Sequence, residues 1–113
     1  MQIEVKGRNV PVNDELRELV ERKFRKVAAQ VSDLSRMEVE LREERNPSIA
    51  DSQVAEVTLY LKGVTLRAEG ASNEMAHSVR VCSDELSRQV KRHRDKRRKR
   101  REARAAPTQH PAM

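Results

Sequence analysis

Eleven of the seventeen residues from Arg88 to Arg104, RQVKRHRDKRRKRREAR, are lysine or arginine, and only Asp95 and Glu102 are acidic, a local charge of +9. Residues 1 to 87 carry 13 bases against 16 acids, a charge of −3, so the net +6 of this 113-residue chain is one concentrated patch on a mildly acidic body. A block of this kind repels itself until a polyanion meets it, and nucleic acid phosphate is the commonest such polyanion. On a helix, Arg88, Lys91, Arg92, Lys96 and Lys99 share one broad side, suited to following a phosphate backbone rather than reading bases.

Other uses of a basic run fit less well. Helix-dipole compensation explains two or three bases at a helix end, because the effect fades within the last turn. A membrane-surface helix needs apolar residues opposite its charge, and from Lys91 to Arg104 there is no Leu, Ile, Val, Phe or Trp. A leucine-zipper DNA-binding factor needs heptads beside its basic region, which are missing. Phe24 and Tyr60 are the only aromatic residues besides histidine, too few for platforms that stack splayed single-stranded bases. Binding through phosphates and shape is the expectation, with structured RNA favoured over single strands.

Little else points to chemistry. His77 and Cys82 are five apart on a helical segment and fall on opposite faces, and no Cys or His spacing matches a zinc site. Of the three histidines, His93 lies in the basic run and His110 in the tail. Three glycines form no phosphate cradle. The carboxylates alternate with bases on outward positions, as solvated faces do. The chain is therefore expected to be neither an enzyme nor a holder of metal or cofactor. A lone cysteine gives no intramolecular disulfide, no run reaches the length of a membrane span, and MQIEVKGRNV is not a signal peptide. A cytoplasmic protein is expected.

The elements that aim the block follow from periodicity. Residues 2 to 6 alternate with Ile3 and Val5 on one face, a short strand broken by the segment from Gly7 to Pro11. Asn13 is placed to cap a helix whose first turn holds Asp14 and Glu15. Leu16, Leu19, Val20, Phe24, Val27 and Val31 form its apolar stripe. Arg22 and Lys26 lie beside that stripe, Arg25 further round and Lys23 at its edge, where it must snorkel. On the sequence alone, dipole compensation at the helix end is the favoured reading of these four bases and an anionic partner the alternative.

Ser32 to Ser35 reads as a turn, and Met37, Val39 and Leu41 as a second strand with a charged outer face. Residues 43 to 53, with Asn46 and Pro47, read as a loop. Ala55, Val57, Leu59 and Leu61 mark a third strand, and Val64, Leu66 and Ala68 a fourth across a hairpin at Lys62 and Gly63, with Gly70 ending the sheet. Ser72 or Asn73 is placed to cap the last helix. Its stripe of Met75, Val79, Cys82, Leu86 and Val90 continues as His93, Arg97 and Arg100, so the helix leaves the core after Val90 as a cationic rod. Beyond Arg104 the two prolines and lack of pattern predict disorder. The fold expected is a single α+β domain of order β-α-β-β-β-α. Its four-stranded sheet carries both helices on one face, with strands 1 and 2 parallel, the other pairs antiparallel, and a long basic C-terminal helix. Residues 1–98 form the domain proper and 99–113 the basic helix end and tail.

Together, MQIEVKGRNVPVNDELRELVERKFRKV, three further strands and a last helix running through SRQVKRHRDK resemble the ribosome hibernation promoting factor family, also called ribosome-associated inhibitors or sigma-54 modulation proteins. The likeness covers residues 1 to about 98. It rests on the opening strand with Gly7 and Asn9, the Leu16, Leu19, Lys23 and Phe24 pattern, and Arg88-Gln89 before the basic run. The resemblance implies binding to the small ribosomal subunit and its ribosomal RNA, in the channel where messenger and transfer RNA otherwise sit, so that translation is inhibited by occupancy. Carried over by position, it implies that Arg22, Lys23, Arg25 and Lys26 of the first helix face ribosomal RNA. The same holds for Arg88, Lys91, Arg92, Arg94, Lys96 and Arg97 of the last. It also implies a monomer away from the ribosome that acts in stress or stationary phase. The chain departs from the family pattern at Ala76, where an aromatic is common, and at Glu85, where a base is usual. Ending at Met113, it resembles the short type. The alternatives are a modulator of transcription that binds DNA or RNA polymerase, and a scaffold on immature ribosomal particles.

Overall fold

The computed structural model describes residues 2–31, 34–45 and 50–105. Its elements are β1 (Gln2–Arg8), α1 (Asp14–Ala28), β2 (Leu34–Glu43), β3 (Gln53–Leu61), β4 (Val64–Ser72) and α2 (Met75–Ala105). The four strands form one sheet in chain order, β1 parallel to β2 and the later pairs antiparallel. This is the α+β architecture the periodicity predicts.

Alternation along each strand sends Ile3 and Val5, Met37, Val39 and Leu41, Ala55, Val57 and Leu59, and Leu66 and Ala68 to one face. There they meet Val20, Phe24 and Val27 of α1 and Val79, Cys82, Leu86 and Val90 of α2. α2 lies over β4 and β3, and α1 packs beside it and reaches β1. Phe24, Met37, Leu41, Leu59 and Leu86 are fully buried. Each such side chain contributes about 1.5–3 kcal/mol by leaving water. The cap expected at Asn13 is present: its Oδ1 accepts from the Leu16 amide at 2.8 Å.

The opposite sheet face is charged. Arg42, 20% exposed, lies within ion-pair distance of Glu44 (3.1 Å), Glu69 (3.7 Å), Glu40 and Glu56 (both 3.8 Å). Its partial burial works against the charge, but the Glu44 hydrogen bond and the Glu56 and Glu69 carboxylates outweigh it and hold its pKa above the ordinary value. The hub ties β2, β3 and β4 together across a row of like charges that would otherwise repel.

Several boundaries differ from expectation, each for a local reason. β1 continues through Gly7 and Arg8, which pair with Leu41 and Arg42. The chain then folds back so closely that a Cβ on Gly7 would collide with the Val10 carbonyl and lie 2.7 Å from Val12 Cγ2. Asn9, at φ 61°, makes that turn. β2 begins at Leu34 instead of Met37, because Leu34 pairs with Leu61 across an irregularity before Arg36. Residues 32–33 of the expected turn, and 46–49 of the expected loop, lie outside the described residues.

Gly70 does not end the sheet. It pairs with Ala55, and the strand runs on to Ser72. What Gly70 marks is the seat of α2: a Cβ there would strike the Ser78 carbonyl oxygen and lie 2.6 Å from the Cys82 nitrogen. Neither Ser72 nor Asn73 adjoins the first helical residue. The Ser72 hydroxyl instead accepts from the amide of Glu74, immediately before α2, at 3.2 Å. Ser72 Oγ lies 2.7 Å from Ser78 Oγ, whose hydroxyl donates to the Gln53 carbonyl at 2.6 Å. The helix start is thereby pinned to β3. At the other end α2 closes with Ala105, one residue past the expected limit, and the expected disorder over residues 106–113 lies outside the described residues.

Candidate nucleic-acid interface

Seated on Gly70, α2 runs back along β4 toward the β3–β4 hairpin. Its last fully buried side chain is Val90, where the apolar stripe ends in the sequence. Beyond it the helix is not at once a free rod. On one side Arg94, Arg97, Arg98 and Arg101 line a groove with Ala29, Gln30 and Val31, the exit of α1. On the other, Arg92, Lys96, Arg97 and Arg100 line a larger groove with Lys62, Gly63, Val64 and Leu66 of the hairpin. The end of α1 and the basic half of α2 therefore meet at one end of the molecule.

This placement brings the two sets of sequence-named bases onto neighbouring elements. Arg22, Arg25 and Lys26 are exposed on the later turns of α1, and Lys23 is half-buried at the edge of the apolar stripe. On α2, Arg88, Lys91, Arg92, Arg94, Lys96 and Arg97 are all exposed. Among the described residues no carboxylate lies within ion-pair distance of Lys91, Arg94 or Lys96, whereas Arg92 acts on the Glu85 carboxylate through its charge and Arg98 lies 3.8 Å from Asp95. Arg88 differs from its neighbours: its Nη2 donates to Glu85 Oε2 at 2.7 Å and its Nε to the same oxygen at 3.1 Å. The hydrogen bonds from Arg88 and Gln89 hold the Glu85 carboxyl below its usual pKa. Glu85 thus partly masks one of the ten bases.

The hairpin's part was missing from the sequence reading. Lys62 and Gly63 are recognisable as a turn, and Gly63 sits at φ 82°. Nothing in the linear pattern says that this turn borders the basic helix. The direction of α2 over β4 decides it. Cys82, on the apolar stripe of α2, is fully buried, with its Sγ 3.5 Å from the Ala68 carbonyl and its pKa pushed up to about 12 by desolvation. Among the described residues no cluster of His, Cys, Asp and Glu suits a metal ion, and no helix is long and apolar enough to cross a membrane.

A compact sheet presents a cationic helix, flanked by grooves and by a second basic helix end. The chain belongs to the sigma 54 modulation protein / S30EA ribosomal protein family, whose model matches residues 3–98. It is 31% identical over 96 residues to the ribosome hibernation promoting factor of Salmonella typhimurium, covering 85% of this chain and 96% of that protein. It is 29% identical over 97 residues to the ribosome hibernation promotion factor of a Picosynechococcus strain, a match that covers 85% of this chain and only 50% of that longer protein. The N-terminal domain of Thermus thermophilus Protein Y superposes with a TM-score of 0.69 at 26% identity, over 82% of this chain and 99% of that one. A ribosomal subunit interface protein from Coxiella burnetii shares the fold, with a TM-score of 0.71 at 20% identity over 84% and 99% of the two chains.

Proposed function

We propose that this chain is a ribosome hibernation factor. It binds the small ribosomal subunit in the channel for messenger and transfer RNA and blocks translation by occupying it, in the cytoplasm and under stress or in stationary phase. The observation that carries the reading is the convergence of the α1 bases with the exposed bases of α2 at one end of a domain of this family. Arg22, Lys23, Arg25 and Lys26, with Arg88, Lys91, Arg92, Arg94, Lys96 and Arg97, are the proposed contacts to ribosomal RNA. Guanidinium and ammonium groups on rigid helices neutralise phosphates without reading sequence, so the rigid domain supplies specificity by fixing where the charges lie. The protein acts as a monomer away from the ribosome and transforms no substrate.

The test is cosedimentation with vacant small subunits near physiological salt. The expected result is saturable binding at one copy per subunit, displaced by transfer RNA and initiator messenger. Replacing Lys91, Arg92, Lys96 and Arg97 by glutamate should abolish it while circular dichroism stays unchanged, since all four are exposed. Weak, unsaturable binding equal to that on bulk RNA, or preference for duplex DNA, overturns the proposal in favour of the transcriptional reading.

A further inference from the structure

The groove between the hairpin and α2 has more structure than phosphate neutralisation requires. Its volume is about 710 Å³, within the roughly 300–1,000 Å³ of pockets that take small organic groups. Gly63, Val64 and Leu66 give it an apolar floor, while Lys62, Arg92, Lys96 and Arg100 stand around it as cations. Gln89 reaches the same groove, and its side-chain amide is held in place by donating to Glu85 Oε1 at 3.3 Å. That bond uses one amide proton and leaves a second donor and the carbonyl oxygen for a ligand. His93 forms the wall shared with the α1-side groove, and its Nε2 is buried with no hydrogen-bond partner among the described residues. Buried polar atoms left uncompensated are rare in native proteins and call for a functional account.

A bare phosphate strand has no use for an apolar floor or an oriented amide. A base has use for both. We infer that this groove is a nucleotide site within the RNA interface. It takes one unpaired nucleotide of an RNA strand, the base lying on Val64 and Leu66 with Gln89 at its edge, and the flanking phosphates on Arg92, Lys96 and Arg100. The site rests on the ribosomal reading for its biological source of RNA, but its chemistry is testable without the ribosome. It supplies one base-dependent contact to an interface otherwise read by shape, and it does so without the aromatic platforms this chain lacks.

The experiment compares binding of the full chain to two blunt two-stranded RNA duplexes of equal phosphate number, one fully paired and one with a single-nucleotide bulge. The bulged duplex is expected to bind about tenfold tighter, the scale of burying roughly 50 Å² of a base on apolar side chains. Gln89→Ala and Val64→Ser should each erase most of that advantage and leave affinity for the paired duplex unchanged. Thermal unfolding of both variants establishes that they fold. Gln89→Asn tests positioning, since the shorter amide should restore only part of the preference. Equal affinity for the two duplexes, or an equal loss on both in the Gln89 variant, overturns the nucleotide site. A channel reading that failed by cosedimentation would leave the preference for the bulged duplex intact, so the two failures are distinguishable.

Discussion

At the scale of single residues, the side chains that matter divide into those that hold the fold and those that regulate the charge it presents. Cys82 belongs to the first group. Burial pushes its thiol from 9.0 up to about 12, so the folded state favours the neutral form. The unfolded thiol ionises near its ordinary value. The contribution of Cys82 to stability is therefore complete below about pH 9 and declines as pH rises toward 12. Cys82→Ala should be less stable at neutral pH, because it leaves a small cavity, and should lose less stability than the parent between pH 9 and 11 in urea titrations. Parallel alkaline declines in the two proteins would contradict this. Glu85 belongs to the second group. Its carboxylate holds Arg88 at 2.7 Å, in competition with any phosphate that approaches. Glu85→Ala should tighten small-subunit binding about two- to fivefold at fixed salt, a modest gain because the pair is solvent-exposed. Unchanged affinity in a filter-binding titration would place Arg88 outside the interface.

At the scale of elements, the alternating strands, the capped first helix and the stripe from Met75 to Val90 were legible in the sequence because half-buried elements repeat their apolar residues with their own period. The places where reading failed are contacts between elements. Gly7 and Gly70 look like breakers in one dimension, yet both sit within strands, tolerated because another segment crosses over the missing Cβ. Likewise the ten bases were nameable from charge and resemblance, whereas the hairpin wall of the groove depends on where α2 lies. The exposure of Lys91 and Lys96 on the basic half of α2 makes their part in binding measurable. About six phosphate contacts should give a slope of roughly −4 to −5 in log affinity against log salt. Replacing Lys91 and Lys96 by glutamine removes two of those charges and should flatten the slope by about 1.5–2, with no change in melting temperature, because both side chains are exposed. A slope that stays put would mean these lysines meet no phosphate.

At the scale of the whole molecule, the placement of the charge matters more than its amount. The body up to residue 87 sums to −3 and the block from 88 to 104 to +9. The bases of α1 join that block because α1 ends against Arg94, Arg97, Arg98 and Arg101. The bases on the open sheet face do not share this position: Lys6 and Arg8 belong to β1 and Arg67 to β4, on the side away from the helices. Two variants with the same net charge separate the possibilities. In one, Arg22, Lys23, Arg25 and Lys26 become alanine. In the other, Lys6, Arg8, Arg67 and the early α1 residue Arg17 do. Each lowers the formal charge from +6 to +2. If general attraction to RNA governs binding, the two lose small-subunit affinity alike, and both lose it on bulk RNA as well. If the basic helices form one surface shaped for the ribosomal channel, the first variant loses about tenfold or more on small subunits and the second stays within about twofold, measured side by side at 150 mM salt. Equal losses would reduce the domain to a carrier for a sticky helix, and only unequal ones are consistent with a fold that aims its charge.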